Sequence, residues 1–380
     1  MRNEDIIVAL TGGGTGGHMY PLIAVADELQ RISGNGITLV YLGPENPINK
    51  AFGERDIHVY TTLSSKWRRY MSIENILDIP KFILSFFQAL FLLYWIMPDV
   101  VFSKGGPGAL AVVIAAKVYF IPVVIHESDT IPGLTNRLSA PFAKRIGIAF
   151  KAAAVYFPAK KTAIVGNPVR AELLAGRNPK DVAKRNLGLN PTEPLLLVLG
   201  GSQGATRINS FVFENMEALL AVTQVCHQVG ENNVREAQVI ANETLGQLPE
   251  VYQNKYRMTG LFDVTSLREA FSACDVVISR AGAGAIFEIA AFAKPAILVP
   301  LDGSANDHQR LNAYEYSKTG AAVVIEEDNF SIHIVMRQLE EFLKNPQTET
   351  AIQEGAHQFF KTHTIGTLAE EILRLAHFFS

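Results

Sequence analysis

The stretch TGGGTGGHMYP, Thr11 to Pro21, decides how this chain is read. It follows the apolar run Ile6-Ile7-Val8-Ala9-Leu10 and leads into a helical pattern over Pro21–Arg31. A buried strand, a glycine turn and a helix open a nucleotide-binding βαβ unit. Glycines in such a turn let backbone N–H groups approach an anion, and the helix N-terminus adds a favourable dipole. Gly12, Gly14 and Gly17 satisfy the dinucleotide pattern G-x-G-x-x-G literally. That pattern also wants an acid near the end of the second strand to hold a ribose. Here the second strand ends Tyr41-Leu42-Gly43, and the first acid, Glu45, lies beyond Pro44. The fit to a nicotinamide or flavin site is poor.

Working outward, the same signal recurs. Leu195–Leu199 leads into GGSQGA and another helix, so each half of the chain starts with strand, glycine loop and helix. Candidate strands in the first half are Ile6–Leu10, Thr38–Leu42, Val100–Phe102, Val123–His126, Arg145–Ala149 and Ala163–Val165. In the second half they are Leu195–Leu199, Gln224–Val229, Tyr256–Thr259, Val276–Ser279, Ala296–Val299 and Ala322–Val324. Short, β-branched, uncharged runs alternating with helical patterns such as Ala283–Phe292 predict an α/β fold with parallel sheets. Two Rossmann-like, doubly wound domains in tandem are expected, 1–166 and 167–361, with the break near Gly166-Asn167-Pro168-Val169-Arg170. A closing amphipathic helix, about 362–380, is a candidate to pack back on the first domain.

Bulk composition excludes several classes. The 380 residues are 48% hydrophobic and 19% charged, as in a folded globular protein. A formal charge of −3 carries no global basic signature for nucleic acid. Cys226 and Cys274 stand far apart with no CxxC spacing, which argues against a disulfide framework or a thiolate metal site. No acidic pair or histidine cluster has metal-ligand spacing, so no metal and no cofactor are expected. The N-terminus does not read as a signal peptide.

One segment is unusual. Phe82–Met97 reads FILSFFQALFLLYWIM, sixteen residues without a charge. A transmembrane helix needs about 20 apolar residues, so this run is short for a span. Two readings fit it: a helix packed on a sheet, or a helix lying in a membrane surface with Phe86 and Leu90 toward lipid. Lys66, Arg68, Arg69 and Lys81, with Trp67 and Tyr70 among them, suit an anionic membrane surface.

Six stretches then occur in order: GGGTGGH at 12–18, HESDTIPGLTN at 126–136, GNPVR at 166–170, GGSQGATRIN at 200–209, SRAGAGAIFEIAAFAKPAILVPL at 279–301 and DHQRLNA at 307–313. Together they resemble the MurG family of N-acetylglucosamine transferases, over nearly the whole chain. The resemblance implies the GT-B fold, two Rossmann-like domains facing across a cleft. It implies an inverting transfer of GlcNAc from UDP-GlcNAc to lipid I, giving lipid II for peptidoglycan synthesis, without an obligatory metal. It also implies a peripheral enzyme on the cytoplasmic face of the cell membrane. An epimerase or a transferase to another lipid acceptor is the alternative, and a non-catalytic nucleotide-sugar binder a third.

The resemblance implies roles position by position. His18, after Gly14, Thr15, Gly16 and Gly17, is the candidate base for the acceptor C4 hydroxyl; capping the helix or holding phosphate is the other reading. Gly105 and Gly106 form the acceptor loop. Asn136 is a contact to the donor sugar, and Arg170 and Ser202 are contacts to the diphosphate. Glu288 is the ribose carboxylate and Phe262 reads uracil through its backbone. His308, Gln309 and Asn312 recognise the GlcNAc hydroxyls. Three departures stand out. His308-Gln309 replaces the two glutamines of many members. Pro107-Gly108-Ala109-Leu110-Ala111 lacks the usual aromatic and serine. Asp129 stands where many relatives carry asparagine, and an acid beside a pyrophosphate is unfavourable unless it is turned away or used in acid–base work.

Overall fold

A computed structural model describes residues 6–14, 16–64, 73–201, 203–360 and 364–379. The chain divides into two compact units, residues 1–170 with 362–380, and residues 171–361. Gly166 to Arg170 therefore stay with the first unit.

The first unit is built on a seven-stranded sheet in the order β3-β2-β1-β4-β5-β6-β7. Its strands are β1 Ile6–Thr11, β2 Ile37–Gly43, β3 His58–Thr61, β4 Val100–Ser103, β5 Val123–Glu127, β6 Arg145–Ile148 and β7 Thr162–Ile164. All neighbours are parallel; in the centre Leu10 sits opposite Tyr41 on one side and Phe102 on the other. Strand β3 was not among the expected strands. It reads HVYT, lies at the sheet edge and is half exposed, so it lacks the continuous apolar run that marks the buried strands.

One face of this sheet is covered by the helices Gly16–Ser33 and Thr364–Phe379, which bring Leu22, Leu29, Leu368 and Ile372 into a core with Val8, Leu10 and Phe102. The helices Ile73–Ile96 and Ala109–Val118 contribute Ala89, Leu93, Val112 and Val113 to the core on the other face, with Ala9, Val101 and Val123. Arg145 Nε donates to Glu371 Oε1 at 2.8 Å and ties β6 to the C-terminal helix.

The second unit holds a six-stranded parallel sheet in the order β10-β9-β8-β11-β12-β13. Its strands are β8 Leu195–Leu199, β9 Gln224–Gln228, β10 Tyr256–Thr259, β11 Val276–Ser279, β12 Ala296–Leu298 and β13 Ala322–Val324. Both sheets reverse their winding between the first and fourth strands of their own unit, β1 and β4 in one, β8 and β11 in the other. Ligands of open α/β sheets bind outside the strand carboxyl ends at such switch points.

The helix Ile73–Ile96 contains an apolar window, Asp78–Ile96, long enough to cross a membrane, yet only 17% of it is buried. Asp78, Ser85, Ala89 and Leu93 face the protein. Ile83, Leu84, Phe87, Phe91, Tyr94 and Trp95 form an exposed stripe at helical spacing. Phe86 and Leu90, expected toward lipid, are instead half-buried against the first unit's core. Lys66, Trp67, Arg68, Arg69 and Tyr70 lie outside the described residues.

Candidate active site

In the first unit the switch point brings together the loops after β1, β4 and β5. The helix after β1 starts at Gly16, so Gly16, Gly17 and His18 form its first turn rather than a loop ahead of it. Its N-terminal turn and dipole point an anion-binding end toward the strand carboxyl ends. Pro21 lies inside this helix and has no N–H, so Gly17 loses its usual i+4 donor. His18 is half-buried in that turn. Thr15 lies outside the described residues.

The loop is held from below and beside. Buried Tyr41 donates its hydroxyl to Gly12 O at 2.6 Å, and Asn46 Nδ2 donates to Gly14 O at 3.1 Å. Gly13 N donates to Gly105 O at 3.2 Å, which joins the first glycine loop to Gly105-Gly106. Glycine is required at Gly106: its φ is +85°, and a Cβ there would land on the carbonyl oxygen of Gly13. Arg170 sits with its guanidinium 4.8 Å from the Tyr20 ring centroid, so it lies beside the helix that carries His18.

Asn136 was expected to meet the donor sugar. Its side chain is buried, with Nδ2 donating to Glu127 Oε2 at 2.9 Å and to His126 O at 3.1 Å. Its Oδ1 lies under Gly105, where a Cβ would strike it. In this structure Asn136 bonds to the end of β5 and packs under Gly105 rather than opening to solvent. Glu127 also accepts from Asp129 N and Gly133 N, each at 3.0 Å. Burial pushes the Glu127 carboxyl up, with Asp129 adding to the shift.

Sequence reading did not single out Lys104. It is 2% exposed, and burial lowers its ammonium from 10.5 to about 8 against the opposing pull of Glu127 and Asp129. The signal was present: one charged residue between the buried strand Val100–Ser103 and two glycines.

In the second unit the corresponding loops follow β8 and β11. The helix Thr206–Glu214 starts just after the glycine loop, and the helix Ala283–Ala291 starts after Gly282. Ser202 lies outside the described residues. Glu288 is half-buried on the second helix. Phe262 N donates to Gln228 Oε1 at 3.2 Å, which fixes its backbone beside the end of β9. Gln309 accepts from Leu301 N through Oε1 at 3.1 Å and donates its own N–H to Ser304 Oγ at 3.3 Å, closing the loop ahead of helix His308–Ser317. His308 is half-buried at the start of that helix. Asn312, expected at a sugar hydroxyl, is fully buried, with Nδ2 donating to Ala281 O at 3.4 Å. It therefore braces the loop after β11.

A second feature missed in the sequence is the network under the β8 loop. Asn209 Nδ2 donates to Val229 O at 2.9 Å, which turns Asn209 Oδ1 toward His227 Nε2 at 3.0 Å. His227 Nε2 must then carry the proton, and Nδ1 accepts from Tyr256 OH at 2.9 Å. Burial lowers His227 from 6.5 to about 3, so the ring stays neutral. Among the described residues no group of three or more His, Cys, Asp or Glu side chains is arranged to hold a metal ion.

Comparison with known proteins agrees with the two-unit α/β fold. Residues 8–148 match the glycosyltransferase family 28 N-terminal domain, and residues 195–368 match the family 28 C-terminal domain. The class defined by fold and site is thus a two-domain glycosyltransferase. The UDP-N-acetylglucosamine--N-acetylmuramyl-(pentapeptide) pyrophosphoryl-undecaprenol N-acetylglucosamine transferase of Legionella pneumophila (strain Lens) is 37% identical over 340 residues, 89% of each chain. The transferase of the same name from Clostridium kluyveri is 35% identical over 334 residues, 87% of this chain and 90% of that one. The crystal structure of Acinetobacter baumannii MurG superposes with a TM-score of 0.71 at 25% identity, covering 97% of this chain and 99% of that one. The chain belongs to the MurG family.

Proposed function

We propose that this enzyme transfers GlcNAc from UDP-GlcNAc to the C4 hydroxyl of the MurNAc of lipid I, forming lipid II. The observation that carries the reading is the family match across both halves, with each half presenting a glycine loop and a helix N-terminus at its own switch point. In a single displacement the C4 oxygen bonds to the anomeric carbon while the bond from that carbon to the UDP oxygen breaks. UDP leaves with the electron pair, and His18 takes the hydroxyl proton. In the second unit the helix N-terminus at Ala283 offsets phosphate charge on the donor; in the first, the helix N-terminus at Gly16 and Arg170 offer the same to a pyrophosphate. Glu288 holds the ribose hydroxyls and His308 and Gln309 the sugar; Asn136 and Asn312 act from behind, by fixing the loops.

We place the enzyme on the cytoplasmic face of the cell membrane, in peptidoglycan synthesis and hence in cell shape and division. The exposed stripe on Ile73–Ile96 supports this placement. It is apolar, carries Tyr94 and Trp95, and exceeds what scattered surface hydrophobics require. The deciding assay incubates the protein with UDP-GlcNAc and a soluble lipid I analogue. Disaccharide and UDP should appear in equal amounts. Release of free GlcNAc or ManNAc without disaccharide would assign the site to a different reaction.

A further inference from the structure

Lys104 lies at the meeting point of four segments of the first unit. Its backbone N donates to Thr11 O at 2.9 Å, at the entry of the first glycine loop. The next residue, Gly105, accepts from Gly13 N. The Lys104 ammonium donates to Ser128 Oγ, in the turn after β5, and Ser128 Oγ donates onward to Asn167 Oδ1 at 2.9 Å. Asn167 is buried and stands three residues before Arg170 in GNPVR. His126 Nε2 donates to Gly166 O at 2.8 Å, so the same turn holds this segment twice.

The charges around Lys104 come from one side. Glu127 and Asp129 face it from β5 and its turn; His126, on the same strand, is kept neutral by burial and by the Lys104 charge. The other packed segments, Thr11–Gly13 and Gly166–Asn167, bring no ionisable side chain. One buried cation therefore offsets part of the charge of two acids beside Gly105-Gly106. Without it, their charge would face the same region as an incoming diphosphate.

We propose that Lys104 is a positioning residue for the transfer reaction: its ammonium compensates Asp129 and Glu127 and, through Ser128 and Asn167, sets the acceptor loops and the Gly166–Arg170 segment. The reactivity part rests on the transferase reading above. It also accounts for Asp129, because the acid is tolerated beside a pyrophosphate site when a buried lysine offsets it. Charge-assisted hydrogen bonds in a buried network act jointly, so single deletions should not add.

The test compares wild type, K104M, D129N and K104M/D129N. With the soluble acceptor at pH 7.5, K104M should lower kcat/KM for the acceptor by about 30-fold and raise the KM for UDP-GlcNAc by a smaller factor, about three- to tenfold, through the displaced Arg170 segment. Adding D129N to K104M should restore about tenfold, because it removes the acid left unbalanced. An unchanged K104M, or a double variant at the product of the two single losses, overturns the proposal. The wild type should lose acceptor kcat/KM above about pH 8 as the amine deprotonates, and K104M should lack that limb. Hydrogen exchange supplies a readout free of turnover. Peptides covering 103–108, 126–133 and 165–170 should exchange faster in K104M than in wild type, with second-unit peptides unchanged. Equal protection in those three segments also overturns it. If K104M does not fold, wild-type protection compared at pH 7 and pH 9, corrected for intrinsic rates, decides the same point. A wild type that transfers nothing would refute the transferase reading alone, since the exchange result stands apart from it.

Discussion

Replacing Phe91 and Trp95 together by serine should detach the protein from anionic vesicles without unfolding it. The two side chains are 66% and 76% exposed on the outer stripe of Ile73–Ile96. An aromatic side chain carries roughly 150–250 Å². The exposed part is then roughly 100–190 Å² each, and at about 25 cal/mol per Å² full removal from water is worth roughly 2.5–5 kcal/mol. A surface-lying helix immerses its apolar face only at the headgroup boundary, so about half of that applies, or about 1–2 kcal/mol per residue. Losing both should weaken vesicle partition by about 2–4 kcal/mol, roughly 30-fold to several hundred-fold. Because neither side chain belongs to the core, the unfolding free energy should move by about 0.5 kcal/mol or less. The assay is co-sedimentation with phosphatidylglycerol–phosphatidylcholine vesicles, with the denaturant midpoint as control. Binding within threefold of wild type in a folded double variant would refute the reasoning. Charges at Phe86 or Leu90 would be uninformative, since those side chains pack inward and their replacement damages the core.

Three further outcomes are expected. His18→Ala should lower kcat by about 10²- to 10⁴-fold with little change in UDP-GlcNAc affinity, whereas Glu288→Ala should mainly raise the donor KM, by about 10- to 100-fold; equal loss of donor affinity in both variants would displace His18 from the acceptor side. Gly106→Ala should cost on the order of 1–3 kcal/mol of stability and most acceptor turnover, read by thermal unfolding and steady-state kinetics, since the +85° backbone and the Gly13 carbonyl both exclude a Cβ. Acid should destabilise the second unit through His227. Its folded value of about 3 lies below the ordinary 6.5, so the unfolded chain binds the proton first, and stability present above pH 6.5 is lost as pH falls toward 3. Denaturant titrations should show about 2 kcal/mol of this loss between pH 6.5 and 5, and His227→Gln should flatten it.

Much of the site was legible because its parts are local. A glycine loop between an apolar strand and a helix is written in consecutive residues, so the switch-point elements could be read from runs such as Ile6–Leu10 and Leu195–Leu199. Edge strand β3 was not legible, because an edge needs neither a continuous apolar run nor a buried face. The inner and outer faces of Ile73–Ile96 were equally opaque. Every residue from Phe82 to Met97 is uncharged, so no polar stripe marks the solvent side, and only packing against Ala109–Val118 decides that Leu93 is buried while Trp95 is exposed.

What the sequence by itself determined is the tandem α/β frame, the placement of the glycine loops and the family, because these rest on hydrophobic period, turn chemistry and ordered motifs. What only tertiary structure decided is which polar side chains are spent inside the protein. Asn136 and Asn312 look like exposed ligand contacts in a string of letters, yet the fold buries both and directs their Nδ2 groups to Glu127 and His126 O, and to Ala281 O. Lys104 reads as an ordinary lysine until the fold buries it against Ser128, Asn167 and two acids from elsewhere in the chain. The reason is physical: a buried polar group must find its partners, and those partners come from segments that only the folded sheet brings together.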